Sequence, residues 1–411
     1  MSEETIEIFE DHLSTNIKTI SSQLKKGTYK LSPVRGVLIE KPGKKDKRPL
    51  RVPEVRDRLV LKAIALKVDE YLSPNYNLDN ECSFAYRKNR NVESAIRKMV
   101  EYYQEGFTVI LEADIEKFFD SVDRTKLLPM VYRHLPDDSL NKLIADGLSQ
   151  EVANLHQSTL HAHYFDGPDE CIPQGNALSP LFANVYLSSF DHRMMKEDFR
   201  MVRYADDFIV MVKTIDQAKA ALLVAKEELE IKLGLKLHPL GDNPDSKTRI
   251  VYPSKHPFTF LSIRFDGHSL WVSEKKVTAL KEKINAVTQS ASNSNLLRVL
   301  TRMRNLLEGW LSSFKFVEVE RCYKEIDDKI EVDLYKIFVQ YGFYLRTSHT
   351  RTFQRDKKKL LALTRNQRVA TGINTCKTFI VSLEYRGKIE IQNTKSVKRK
   401  SKSLTEPETV I

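Results

Sequence analysis

The sequence predicts an α+β fold, with short antiparallel strand pairs set among amphipathic helices. Three observations carry this expectation. Apolar residues recur every three or four positions over long stretches, as in Ile6, Phe9, Leu13, Ile17, Ile20 and Leu24, which is helical spacing. Elsewhere short apolar arms flank polar turns, as in FRMVRYADDFIVMVK at 199–213, the pattern of a hairpin. Finally, 41% of the 411 residues are apolar, enough for a sizeable core and too many for a disordered chain.

In chain order, residues 1–30 read as one helix that stops at Gly27. Residues 34–53, VRGVLIEKPGKKDKRPLRVP, read as a β-hairpin with a basic tip over Pro42–Asp46. Val55, Leu59, Val60, Ala63, Ile64 and Val68 mark a helix ending near Leu72, with Ser73-Pro74 as its break. The apolar run Thr108–Leu111 predicts a buried strand that leads into Asp114. Ser179-Pro180 predicts a helix start, with Ser as N-cap and Pro at the first helical position. That helix is expected to continue through Leu181, Val185, Leu187 and Phe190. The 199–213 hairpin should turn near Ala205-Asp206, and a helix should follow over 215–233. Residues 257–272 predict a strand pair turning at Asp266-Gly267. From 274 to 345 the pattern is helical, with a stripe of Leu296, Leu297, Leu300, Met303, Leu306 and Leu307. The last stretch turns polar, and a basic run from Arg386 to Lys402 reads either as a solvated tail or as a clamp for RNA backbone.

Charge and cysteines narrow the setting. Lys and Arg outnumber Asp and Glu by 66 to 55, a formal charge of +11, which suits a polyanionic partner without specifying one. No apolar run of about 18 residues occurs, so no transmembrane helix is expected. The N-terminal MSEETIEIFEDH lacks the basic start and apolar stretch of a secretory signal. Cys82, Cys171, Cys322 and Cys376 are scattered, with no CxxC pair. Neither a structural zinc nor a disulfide framework is expected, and the cytoplasm is the default location.

Two acidic positions carry the chemistry. Asp114 ends an apolar strand, and Asp206-Asp207 sit in the turn of an apolar hairpin. Carboxylates at the ends of buried strands are costly unless neutralised, and hard oxygen ligands suit Mg²⁺. Two such ions roughly 3.5–4 Å apart can activate a hydroxyl and stabilise a leaving oxygen in phosphoryl transfer. Only tertiary folding can bring Asp114 to Asp206. On these residues alone, an ordinary Asp-Asp turn is the better account.

The surrounding segments resemble, in order, the motif blocks of a reverse transcriptase of the bacterial group II intron-like lineage. KGTYKLSPVRGVLIEKPGKKDKRPLRVPEVRDRLVLKAI is similar to the family's fingers segment, and SFAYRKNRNVESAI to the block that follows it. ADIEKFFDSVD resembles the first palm motif. PQGNALSPLFANVYLSSFD matches the PQG-SP-LAN-YL block, and RYADDFIV the polymerase signature. LGLKLHPLGDNPDSKTRI resembles the LGL-N-KT block, with an insertion at Gly241–Pro244. FTFLSIRF resembles the primer grip, with Ser262 where Gly is usual. LLEGWLSSFKF resembles the thumb.

The resemblance implies a right-hand polymerase. Its parts would be fingers with an N-terminal helix at 1–105, a palm at 106–272 with an insertion about 125–170, a helical thumb at 273–345, and a C-terminal extension with a basic tail at 346–411. It implies that Asp114, Asp206 and Asp207 bind two Mg²⁺ ions, with Lys247 as general acid for pyrophosphate departure. Lys47 and Arg48 would hold the triphosphate, with Lys47 alternatively facing solvent. Pro173, Gln174 and Gly175 would line the nucleotide pocket, Gly175 letting backbone approach the base pair. Phe119 would be the steric gate that rejects a 2′-hydroxyl, which argues against an RNA-synthesising enzyme; of Phe118 and Phe119, one is expected in the core. Tyr204 would pack under the primer terminus or serve as a core tyrosine. The implied partners are an RNA template, a DNA product and dNTPs. With only about 66 residues after 345 and no HNH-like cluster, the sequence most resembles stand-alone, defence-associated enzymes that work with a structured non-coding RNA in antiphage immunity. The alternative is an intron maturase that binds RNA as a splicing cofactor.

Overall fold

A computed structural model describes residues 4–40, 47–153, 164–165, 171–243, 246–343, 350–355, 358–383, 387–389 and 391. The chain divides into two compact units, Met1–Val251 and Tyr252–Ile411.

The first unit opens with two helices where one is expected, α1 (Ile6–Asp11) and α2 (Leu13–Lys25). His12 between them leaves helical geometry, with φ −118° and ψ 26°. Phe9, Asn16 and Ile20 are buried on one face, while Ile6, Leu13, Ile17 and Leu24 flank that face and are exposed. Asn16 spans the break, its side-chain amide donating to the Phe9 carbonyl at 3.0 Å. The expected hairpin is present as β1 (Arg35–Glu40) and β2 (Lys47–Val52), pairing Glu40 with Lys47 and Arg35 with Val52. Its basic tip, with Lys44 and Lys45, lies outside the described residues. Helix α3 (Val55–Asn75) carries Pro74 in its last turn, so it ends three residues past the expected stop near Leu72.

Helix α4 (Val92–Gln104) starts at an Asn91/Ser94 capping box. It is followed by β3 (Val109–Asp114), α5 (Phe118–Ser121), α6 (Arg124–Tyr132) and α7 (Asn141–Leu148). Then come α8 (Ser179–Tyr186) and α9 (Ser188–Lys196), two helices in place of the single one expected, separated at Leu187 with ψ near 0°. Ser179 is not the cap. Leu178 takes that position, and the buried Ser179 hydroxyl donates to the Pro173 carbonyl at 2.6 Å. The hydroxyl thus ties the helix to the segment before it.

The hairpin β4 (Arg200–Tyr204) and β5 (Asp207–Val212) turns at Ala205-Asp206, where expected. Helix α10 (Ile215–Lys226) then passes into a π-helical turn, Glu227–Lys232, and β6 (Arg249–Val251) completes a four-stranded antiparallel sheet in the order β4-β5-β3-β6. Val109, Ile110, Leu111 and Ala113 of β3 and Phe208 to Met211 of β5 are fully buried. Burial on both faces explains why these strands read as continuous apolar runs rather than alternations.

The second unit departs from the strand pair expected at 257–272. It has three strands, β7 (Phe258–Phe260), β8 (Ile263–Phe265) and β9 (Leu270–Val272). The extra turn falls at Leu261-Ser262, both with positive φ, which no local Gly or Pro announces. Helices α11 (Glu274–Gln289), α12 (Leu296–Phe314) and α13 (Tyr323–Gln340) follow as expected. The buried face of α12 is Val299, Met303, Leu307, Leu311 and Phe314, while Leu297 of the expected stripe is exposed. Beyond 345 the chain is more structured than its polar composition suggests. A hairpin of β10 (Arg351–Arg355) and β11 (Lys358–Ala362) precedes α14 (Arg365–Ala370) and α15 (Cys376–Ser382). Most of the basic run at 386–402 lies outside the described residues. No helix among the described residues is long and apolar enough to cross a membrane.

Candidate active site

The sheet register builds the site. Asp114, last residue of β3, lies directly opposite Asp207, first residue of β5, and Asp207 in turn faces Tyr204 of β4. Directly opposed residues share a face, so Tyr204, Asp207 and Asp114 form one row across three strands. Asp206 is the second residue of the connecting turn. Ala205, the first, has φ +60°, a left-handed conformation that alanine adopts only when its surroundings impose it.

The row concentrates negative charge. Burial, reinforced by the carboxylates of Glu112, Asp114 and Asp206, pushes the Asp207 carboxyl up to about 8. Burial also raises Asp206, and Asp114 adds to the shift, while the Arg48 and Lys247 charges oppose it. Lys247 donates to Asp114 Oδ2, and its Nζ lies 2.9 Å from His238 Nε2. His238 also stands 3.4 Å from Glu116 and 3.6 Å from Asp114. Glu112, two residues before Asp114 on the same face of β3, is held by Arg249 of β6 at 2.7 Å.

The carboxylates suit a divalent cation on their own chemistry. They are hard oxygen donors from two strands and a turn, and their mutual repulsion is relieved by a bound dication. Among the described residues no group of three His, Cys, Asp or Glu side chains is drawn into ligating geometry; Asp114 is engaged by the Lys247 ammonium instead.

The remaining expected residues divide around this centre. Phe118 is in the core at 2% exposure, and Phe119 is half-buried, packed edge-on against it at 5.4 Å between ring centroids. The Phe119 carbonyl accepts from the Ile172 amide at 3.2 Å, which ties it to the segment holding buried Pro173 and half-buried Gln174. The Gln174 carbonyl accepts from the Arg51 amide of β2 at 2.8 Å. Gly175 has φ +99°, and a Cβ there would stand 2.7 Å from the Arg51 carbonyl oxygen. The close approach that requires glycine is therefore to the β1–β2 hairpin. The Arg48 charge reaches Asp206, whereas adjacent Lys47 projects from the opposite face of the ribbon. Tyr204 is half-buried, and burial raises its hydroxyl.

Sequence reasoning passed over His238, Glu112 and Arg249. His238 sits within LGLKLHPL, and the Leu237–Ile115 bridge, with the Glu116 amide on the Lys236 carbonyl at 2.7 Å and the His238 amide on the Asp114 carbonyl at 3.2 Å, brings it to the site. No spacing in the sequence signals that pairing.

Residues 39–265 match the family model described as "Reverse transcriptase (RNA-dependent DNA polymerase)", and residues 277–341 match "Group II intron, maturase-specific domain". The chain belongs to the reverse transcriptase family, in its group II intron-like branch. It is 28% identical over 193 residues to the group II intron-encoded protein LtrA of Lactococcus lactis subsp. cremoris, covering 47% of this chain and 30% of that protein. It is 25% identical over 323 residues to protein YkfC of Escherichia coli K12, covering 69% of this chain and 80% of that one. A partial Cas6-RT-Cas1–Cas2 complex shares 29% identity at a TM-score of 0.30, over 56% of this chain and 38% of that one. The chain thus spans about a third of the length of LtrA.

Proposed function

We propose that this chain is an RNA-directed DNA polymerase that joins deoxynucleotides to a hydroxyl primer end. The observation that carries the proposal is the Asp114–Asp207 pairing with Asp206 in the adjoining turn. Two Mg²⁺ ions held by Asp114, Asp206 and Asp207 would activate the attacking hydroxyl and stabilise the leaving oxygen. The Arg48 fork grips the triphosphate, while Lys47 lies on the other face of the ribbon. Gln174, between Pro173 and Gly175, lines the nucleotide pocket, and the Phe119 ring presses on the sugar and rejects a 2′-hydroxyl. Tyr204 supports the primer end. Lys247 Nζ holds the proton that pyrophosphate takes as it leaves. In this reading 1–105 are fingers, 106–272 palm, 273–345 thumb and 346–411 an extension.

The test is incorporation of dTMP on poly(rA)·oligo(dT) with Mg²⁺. Incorporation is expected; none on this template or on the chain's own transcript overturns the proposal. For the cellular setting we propose cytoplasmic antiphage defence with a cognate structured RNA, supported by resemblance to stand-alone enzymes. The match of 277–341 to the maturase-specific model favours a second reading, a splicing cofactor. Sequencing the co-purifying RNA separates the two: a non-coding RNA with its DNA copy supports the first, an intron the second.

A further inference from the structure

We infer that Arg203 is a positioning residue that holds the Ala205-Asp206 turn in its working conformation. The inference rests on the polymerase reading and deepens it.

Arg203 is the residue before Tyr204 on β4, so its side chain leaves the strand on the face opposite the Tyr204–Asp207–Asp114 row. It is 1% exposed, against an Asp191 that is fully buried. All five of its N–H groups find acceptors. Nε donates to Asp191 Oδ1 at 2.6 Å, and one Nη2 hydrogen goes to Asp191 Oδ2. The other Nη2 hydrogen goes to Ser83 Oγ at 2.8 Å. Nη1 donates to Asn184 Oδ1 at 3.1 Å and to the Ala205 carbonyl at 3.0 Å.

That last bond reaches the turn. Ala205 sits at positive φ, and such a conformation persists only where the surroundings over-determine it. The anchor is itself tied to the distant segment 82–85. Asn184 donates to the Ala85 carbonyl at 2.9 Å, and the Arg203 backbone pairs with Cys82 and Phe84 at 2.7 and 2.9 Å. Asp207 is placed by the strand ladder, whereas Asp206 follows Ala205 and depends on the turn. A lysine in place of Arg203 would keep the charge opposite Asp191, but three donors on one nitrogen cannot serve five divergent acceptors.

The experiment compares Arg203→Lys with the double variant Asp191→Leu/Arg203→Met, which replaces the buried pair by apolar side chains, an exchange that proteins often tolerate. Three readouts are taken: kcat and KM for dTTP on poly(rA)·oligo(dT), Mn²⁺ affinity by electron paramagnetic resonance without nucleic acid, and melting temperature. A folded variant should lose about 10-fold or more in kcat and in Mn²⁺ affinity, the range typical of groups that orient metal ligands. KM for dTTP should stay within about twofold. A folded variant with wild-type kcat and Mn²⁺ affinity overturns the inference. So does failure of both variants to fold, which would make the cluster a structural element alone. If the wild type incorporates nothing, the polymerase reading falls, and the Mn²⁺ comparison still decides whether Arg203 sets the turn.

Discussion

Carboxylates are buried on α13 of the second unit and half-buried at the sheet end of the first, and the two sets are built in opposite ways. On α13 of the second unit, each has a cation. Asp327 takes Arg368 at 2.6 Å, Glu331 takes Arg351 at 2.7 Å, and Asp333 takes Lys336 at 3.3 Å and also Lys329. At the sheet end of the first unit, Asp207 instead faces Asp114 and follows Asp206, and its carboxyl is pushed up to about 8. The α13 set ties the C-terminal segment to a helix, since the Cys376 amide also donates to Asp327 and the Leu363 amide to the Glu331 carbonyl. The sheet-end set holds repulsion that Lys247 and Arg48 offset only in part and that a bound dication would relieve. Paired burial is architecture; like-charge burial is where chemistry is expected.

This contrast predicts opposite responses to losing one charge. Asp114→Asn, Asp206→Asn and Asp207→Asn should each lower dTMP incorporation by about three orders of magnitude or more. Their melting temperatures in EDTA should hold or rise, because a like charge has been removed. A variant that keeps its rate, or that unfolds, would show these aspartates to be structural.

On α13 the same kind of change should cost stability. Arg368→Ala strands the buried charge of Asp327, a loss of about 3–5 kcal/mol. Both tryptophans, Trp271 and Trp310, belong to the second unit, so their fluorescence in urea follows that unit selectively. A shift below about 1 kcal/mol would place this pair with ordinary surface bridges and erase the contrast.

A third comparison sits within the first unit. Phe118 and Phe119 are neighbours, one in the core and one half-buried. Phe119→Val should relax the preference for dNTP over rNTP by about tenfold, the scale of one missing contact in a pocket. Phe118→Ala should cost about 3–5 kcal/mol in calorimetry and leave sugar choice alone. Unchanged rNTP rejection in Phe119→Val would remove its assignment as the gate.

How much of this was legible in the sequence follows from the range of the interactions. The carboxylates, the β4–β5 hairpin and the buried β3 strand were legible, because local patterning and ordered motif blocks encode them. The α1–α2 and α8–α9 breaks were not, since an interruption one residue long at His12 or Leu187 barely disturbs the periodicity. Arg203, Arg368 and His238 were also missed. A charged side chain reads as solvated until its partners are known, and Arg368 meets an Asp327 that lies 41 positions earlier in the chain. The β10–β11 pair was hidden the same way, behind the charged residues Arg351, Arg355, Lys358 and Lys359.

The smallest effect bears on the backbone. Ala205 in the first unit and Ser262 in the second both hold positive φ, +60° and +70°, and neither is the glycine that such geometry favours. Ser262 turns β7 into β8, so relieving it should only help: Ser262→Gly is expected to stabilise the second unit by up to about 1 kcal/mol in the tryptophan-monitored urea transition. Ala205→Gly removes the same strain, but glycine also opens other conformations to the turn that carries Asp206. Its stability should change by less than about 1 kcal/mol while kcat drops several-fold, because the carboxylate is no longer pre-set. If both glycine variants gain stability and Ala205→Gly keeps its full rate, the positive φ at the sheet end is a packing accident like that at Ser262. If only Ala205→Gly loses rate, the strained alanine is part of how the first unit aims the Asp206 carboxylate.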